Sequence, residues 1–203
     1  HDFQMRFLAP YRGAFGEQAR AQGLEEHWVL GLVRQESRFI VNARSSAGAS
    51  GLMQLMPATA RWVAKKLGMR DFTPAQVTEV EVNIALGTSY LRYVLDELEG
   101  SPVLAAAAYN AGPGRARRWK ADRPLEGAIY AESIPFNETR DYVKKVLANA
   151  WFYGNRITGQ EQSFRKMLGT VPARGAAAVR ADRLKQASGA GARGPSSSMR
   201  APC

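Results

Sequence analysis

Apolar residues recur along most of this chain at intervals of three and four, the spacing of one face of an α-helix. No stretch alternates convincingly as a strand would. The pattern predicts a first helix over 5–22, broken by Gly23, and a second ending near Ser37. Glu25 and Glu26 stand where a helix N-terminus favours acids, and Trp28, Val29, Leu32 and Val33 form the inward stripe. Residues 38–51, rich in Ser, Gly, Ala and Asn, predict a loop. Pro57 suits the first turn of a third helix that stops at Gly68, and Thr73-Pro74 marks a turn. A longer helix is expected over about 80–99, with Val82, Leu86, Tyr90, Tyr93, Val94 and Leu98 on one side. An Ala-rich helix over 102–110 ends in AGPGR, the stretch 120–136 is irregular, and Asn137 is placed to cap a last helix over 138–154.

Beyond residue 164 the periodicity collapses. Ala, Gly, Ser and Pro supply 21 of the last 39 residues, and no aromatic residue occurs among them. Such a segment buries too little apolar surface to offset its ordering entropy, so it is expected to be disordered. The fold class predicted is all-α, with a lead-in over 1–23, one catalytic-sized domain over 24–157 and a basic tail over 158–203.

Charge changes that picture little. The net charge of +10 invites a nucleic-acid or anionic-polymer reading. Residues 165–203 hold eight Lys/Arg against one acid, however, and residues 1–164 hold 20 against 17, so the excess sits in the tail. No nucleic-acid partner is expected. The one cysteine, Cys203, is the final residue, so no internal disulfide forms, and no run is long enough for a membrane span. The opening HDFQMRF has neither an initiator Met nor an apolar signal region, as in a processed product or a piece of a longer chain.

The candidate chemistry centres on Glu36. It shares the face of 29, 32 and 33, and the next acid along the chain is Asp71. A carboxyl on a core-facing stripe is costly when charged, so it is pushed toward its neutral form and becomes a proton donor. The ordinary alternative is a glutamate turned to solvent or paired with Arg34, Arg38 or Arg44. Paired-carboxylate glycosidases hold their groups about 5–5.5 Å or about 6.5–9.5 Å apart. Glu25, eleven residues back, lies roughly 16 Å away along a helix. That favours one carboxyl acting alone, first as acid and then as base. His1 and His27 make no ligand cluster, and GPG at 112–114 lacks the Lys of a phosphate loop, so no metal and no cofactor is expected.

Three blocks carry a resemblance. QES followed by ARSSAGASGLMQLMP, then AAYNAGPGR, then ESIPFNETRDYV, resemble the signature blocks of the soluble lytic transglycosylase family over about residues 5–155. The resemblance implies a goose-type-lysozyme-like helical domain with a substrate cleft, acting as a monomer on peptidoglycan glycan strands outside the cytoplasm, in the periplasm of a Gram-negative source. It implies cleavage of the β-1,4 bond between N-acetylmuramic acid (MurNAc) and N-acetylglucosamine (GlcNAc) with formation of a 1,6-anhydro ring. Glu36 would be the acid and base. Ser45, Gln54, Met56, Tyr109, Asn110 and Glu132 would be the substrate residues, with Tyr109 and Asn110 beside Glu36. Each has a plainer role open to it: Ser45 as a turn cap, Met53 and Met56 as core fillers, Tyr109 as a core aromatic, Glu132 as a partner of Arg140. The rival functions are a hydrolytic muramidase, a non-catalytic glycan-binding module and a nucleic-acid binder.

Overall fold

The computed structural model describes residues 7–175. The elements are α1 (Arg12–Ala21), α2 (Glu26–Glu36), α3 (Pro57–Lys66), a 3₁₀ turn (Pro74–Thr78), α4 (Val80–Glu97) and α5 (Pro102–Ala111). They continue with α6 (Pro113–Arg118), β1 (Leu125–Glu126), α7 (Gly127–Ser133), α8 (Asn137–Thr158), α9 (Phe164–Leu168) and β2 (Thr170–Val171). The helical fold class is the one expected, and among the described residues one two-residue antiparallel ladder pairs Leu125 with Val171 and Glu126 with Thr170.

The core is organised around α2 lying on α8. Val29, Leu30, Leu32 and Val33 of α2 are fully buried, as are Val143, Val146, Leu147 and Ala150 of α8. Gly31 sits at the crossing. A Cβ there would stand 2.5 Å from the Ala150 backbone nitrogen, so only hydrogen fits between the two helices. The alanines Ala105–Ala108 of α5 are likewise fully buried and let that helix approach α8 and α4 closely. Ser101 caps α5, accepting from the Leu104 N–H at 3.4 Å, with Pro102 at the first helical position.

Several expected boundaries move, each for a local reason. Among the described residues the first helix starts at Arg12, because Pro10 and the left-handed Tyr11 (φ 60°) precede it, and the expected start at 5 lies outside them. AGPGR is a stop and also a restart: Gly112 at φ 86° turns the chain, and Pro113 then opens α6. Within the expected irregular stretch, Gly127–Ser133 form α7. Asn137 is the first residue of α8 rather than its cap, which is Phe136, and the helix runs on to Thr158 before the left-handed Gly159.

The expected tail is corrected over its first part. Residues 164–171 form α9 and β2, with Leu168 and Val171 buried, and Arg174 donates to the Lys120 carbonyl at 2.7 Å. Composition misled here because two apolar anchors suffice when the partner surface is already built. The rest of the expected disordered tail, from 176 on, lies outside the described residues.

Gly31→Ala should lower stability by about 1–3 kcal/mol through overpacking against Ala150. Gly13→Ala, at a helical position with nothing within 4 Å of the new Cβ, should be neutral or stabilising. Denaturant melts of both variants check the pair.

Candidate active site

Glu36 is the last residue of α2, and the chain leaves that helix sharply. Arg38 and Phe39 both adopt positive φ, at 52° and 66°. Ser37 holds the turn by accepting from the Phe39 N–H at 3.1 Å. The Phe39 ring is buried edge-on against Phe15 and Tyr153, at 6.0 and 6.4 Å. A helix end anchored in this way offers its final side chain a fixed position.

Two tyrosines from other helices meet that carboxyl. The buried Tyr142 of α8 donates its hydroxyl to Glu36 Oε1 at 2.5 Å. Tyr109, near the end of α5, donates to the Met53 carbonyl at 2.9 Å and feels the Glu36 charge. Burial pushes the Glu36 carboxyl up to about 7, against the opposing pull of the Tyr142 hydrogen bond. Burial, and next the Glu36 charge, hold both phenols well above their ordinary value, so each remains a neutral donor. Among the described residues Glu36 has no ion-pair partner, and the Arg34 guanidinium lies instead over the Phe7 ring at 4.3 Å. The residue nevertheless keeps partial contact with solvent.

The loop between α2 and α3 forms one wall. It folds on itself through paired bonds between Ser50 and Leu55 and a bond from Gly51 N–H to the Ala43 carbonyl. Asn83, fully buried on α4, fastens it: its Oδ1 accepts from Met53 N–H at 2.7 Å, and its Nδ2 donates to the carbonyls of Ser50 and Val77. Ser45 is exposed, and its Oγ accepts from Ala49 N–H at 3.0 Å, as a turn cap does. Gln54, at φ 45°, spends its amide N–H groups on the carbonyls of Ala43 and Gly51, which leaves Oε1 to accept from a ligand. Met53 is fully buried as a filler, whereas Met56 is 43% exposed.

Asn110 follows Tyr109 at the surface and accepts from Thr139 Oγ1 at 2.7 Å, tying α5 to the first turn of α8. Glu132 is exposed and pairs with Lys144 at 3.0 Å. Arg140, its expected alternative partner, is turned to the Ile134 carbonyl and Asn137 instead. Of the six residues expected to hold substrate, Tyr109 alone shows an interaction with Glu36 itself. Two contributors escaped the sequence analysis. Tyr142 lies on the inward stripe 139, 142, 143 and 146 of α8, a visible signal, but nothing local points it at a residue 106 positions away. Asn83 is a polar residue on an apolar helix face, a sign of a satisfied buried amide. A cavity of about 420 Å³ opens at the other end of α2, near His27, Trp28, Trp151 and Lys166; Glu36 does not line it.

This helical domain keeps one desolvated carboxyl hydrogen-bonded to a neutral tyrosine, with a second neutral phenol close enough to feel its charge. Comparison with known proteins gives that arrangement a family. The transglycosylase SLT domain matches residues 13–129, and the soluble lytic transglycosylase helical domain matches residues 133–162. The chain belongs to the transglycosylase SLT family. It is 40% identical over 161 residues to a soluble lytic murein transglycosylase of Salmonella typhimurium, covering 78% of this chain and 25% of that protein. Its counterpart in Escherichia coli K12 is 39% identical over 151 residues, covering 73% and 23%. Among solved structures, an inactive glutamate-to-glutamine mutant of the lytic transglycosylase Slt from Pseudomonas aeruginosa superimposes with a TM-score of 0.74 at 43% identity, covering 77% of this chain and 26% of that one. The 70 kDa soluble lytic transglycosylase of Escherichia coli gives a TM-score of 0.73 at 38% identity, covering 81% and 26%. The chain thus spans about a quarter of the length of these relatives. No helix among the described residues is long and apolar enough to cross a membrane.

Raising the folded pKa of Glu36 makes the folded state bind the proton more tightly than the unfolded chain does. The resulting cost to stability is absent below about pH 4.5 and fully present above about pH 7. Glu36→Gln should therefore gain stability relative to wild type by roughly 3 kcal/mol as pH rises from 4 to 8. Tyr142→Phe should move the upper end of that window to higher pH, since the bond that favours the carboxylate is lost. Denaturant titrations across this pH range read both effects.

Proposed function

We propose that this chain is a peptidoglycan lytic transglycosylase that cuts the MurNAc-β-1,4-GlcNAc bond without net addition of water. The observation that carries the reading is Glu36 itself, a carboxyl titrating near neutrality with one tyrosine hydrogen bond and no second acid contributing to its titration. Membership of the SLT family, and relatives named soluble lytic murein transglycosylases, support it.

Protonated Glu36 gives its proton to the glycosidic oxygen as the bond from the muramoyl C1 breaks, and the GlcNAc end leaves as an alcohol. The carboxylate that remains is eased by the Tyr142 hydroxyl. Positive charge developing at C1 is met by the substrate's own 2-acetamido group, the substrate-assisted exception to the two-carboxylate rule. The C6 hydroxyl then bonds to C1 and yields its proton to Glu36, which closes the 1,6-anhydro ring and restores the acid. A pKa near the working pH suits a group that must both give and recover a proton.

Around that centre, Ser45 and the free Oε1 of Gln54 would face sugar hydroxyl and amide groups, and Met56 would supply an apolar wall. Asn110 would present its amide nitrogen, because Thr139 occupies its oxygen. Glu132 would meet the sugar or peptide portion from the rim. The substrate polymer places the working enzyme outside the cytoplasm.

Mass spectrometry of digested peptidoglycan distinguishes the readings. Transglycosylation leaves anhydro-muramoyl ends one water lighter than the reducing ends a muramidase would leave. Glu36→Gln should lower the rate by about 10²–10⁴-fold. The wild-type rate should decline above about pH 7 as the acid is lost. Unchanged turnover in Glu36→Gln would instead mark a scaffold on which Glu36 does no chemistry.

A further inference from the structure

From Tyr109 an unbroken row of aromatic rings leads away from Glu36. Tyr109 meets Tyr90 of α4 at 5.3 Å between ring centroids. Tyr90 meets Trp62 of α3 edge-on at 6.4 Å, and Trp62 meets Tyr93 at 4.6 Å. The three tyrosines of the row are half-buried, and Trp62 is its exposed member. Tyr109 and Tyr90 pack against both core clusters, whereas Trp62 is 37% exposed. Over Trp62 stands Lys66, one helical turn beyond it, its ammonium 4.6 Å from the Trp62 ring and 4.9 Å from that of Tyr93. Among the described residues Lys66 has no acidic partner, and neither the Trp62 indole N–H nor the Tyr93 hydroxyl forms a hydrogen bond.

Packing alone does not explain this arrangement. The small cluster beneath is closed by Leu55, Ala60, Val63, Ala64 and Leu86, all nearly or fully buried, and it gains little from a tryptophan left over a third open to water. A pyranose ring, by contrast, offers one face of C–H bonds to an aromatic surface and a rim of hydroxyls to nearby donors. A cation held above the rings adds a partner for a carboxylate, which a muramoyl residue carries on its lactyl group or its peptide.

We propose that Trp62, Tyr93 and Lys66 form an outer subsite that grips a carboxylate-bearing sugar of the glycan strand at a distance from the bond being cut. The inference rests on the transglycosylase reading and extends it. Continuity of the row with Tyr109 selects the occupant: a further unit of the same strand whose reacting bond lies at Glu36. Binding energy gathered away from the reacting bond can hold that bond in place for proton transfer.

The test uses the full chain and peptidoglycan oligosaccharides of graded length. In wild type, kcat/KM should rise once the strand is long enough to reach Trp62. Trp62→Ala should cut the ratio of long-strand to short-strand kcat/KM about tenfold, chiefly through KM. Trp62→Phe should restore most of the ratio, and Lys66→Gln should lower it for strands with free carboxylates but not for amidated ones. Thermal melts confirm that the variants are folded. A loss shared equally by short and long strands, or no change in either, overturns the subsite. Titrating the same oligosaccharides into Glu36→Gln reads the subsite by affinity alone: a length-dependent gain that Trp62→Ala abolishes supports it, and its absence refutes it. Failure of the wild type to cleave strands of any length counts against the transglycosylase reading and is read separately from that affinity.

Discussion

Everything at the candidate site depends on how closely α2 lies on α8. Gly31 leaves room for the Ala150 backbone and nothing more, and this contact sets the separation of the two helices along their length. One and a half turns beyond Gly31, α2 ends at Glu36; two turns before Ala150, α8 presents Tyr142. The 2.5 Å hydrogen bond between them follows from that separation. A wider spacing would admit water between carboxyl and phenol, and Glu36 would revert toward an ordinary glutamate.

Burying this carboxyl works against stability at neutral pH, and the surrounding structure is arranged to tolerate it. The cost is limited because Glu36 takes its proton back near neutrality and because Tyr142 supports the charged form when it appears. The neighbouring backbone is held by groups that do no chemistry: Ser37 at the helix end, Phe39 in the core, and Asn83 beneath the loop. Asn83 joins the loop that bears Ser45 and Gln54 to α4, and Tyr109 joins the same loop to α5 through the Met53 carbonyl. These bonds connect the loop to the helical core from two sides. The strained backbone at Arg38, Phe39 and Gln54 persists because such partners over-determine it.

Much of this was legible in the order of residues. The stripe 29, 32, 33 and 36 placed a lone acid on an inward helix face, and α2 ends on that acid. Pro57, Gly68, Pro102 and Gly100 marked helix limits that hold to within a residue or two, since their backbone restrictions act locally. The same local logic failed where a partner surface intervened. AGPGR reads as a terminator, yet Pro113 begins a new helix once Gly112 has turned the chain. Leu168 and Val171 look isolated in a polar, alanine-rich segment, and they are buried because β1 and α7 already offer them a surface.

The sequence by itself determined the helical character, the approximate limits of most helices and the place of Glu36 on an inward helix face, because these rest on periodicity and on the conformational limits of single residues. Tertiary structure decided what surrounds that acid. Tyr142 stands 106 positions from Glu36, Asn83 lies 30 from Met53, and Lys144 rather than Arg140 engages Glu132. The pKa near neutrality belongs to this second group, since desolvation depends on every chain segment packed around the carboxyl, and no local pattern encodes how distant segments meet.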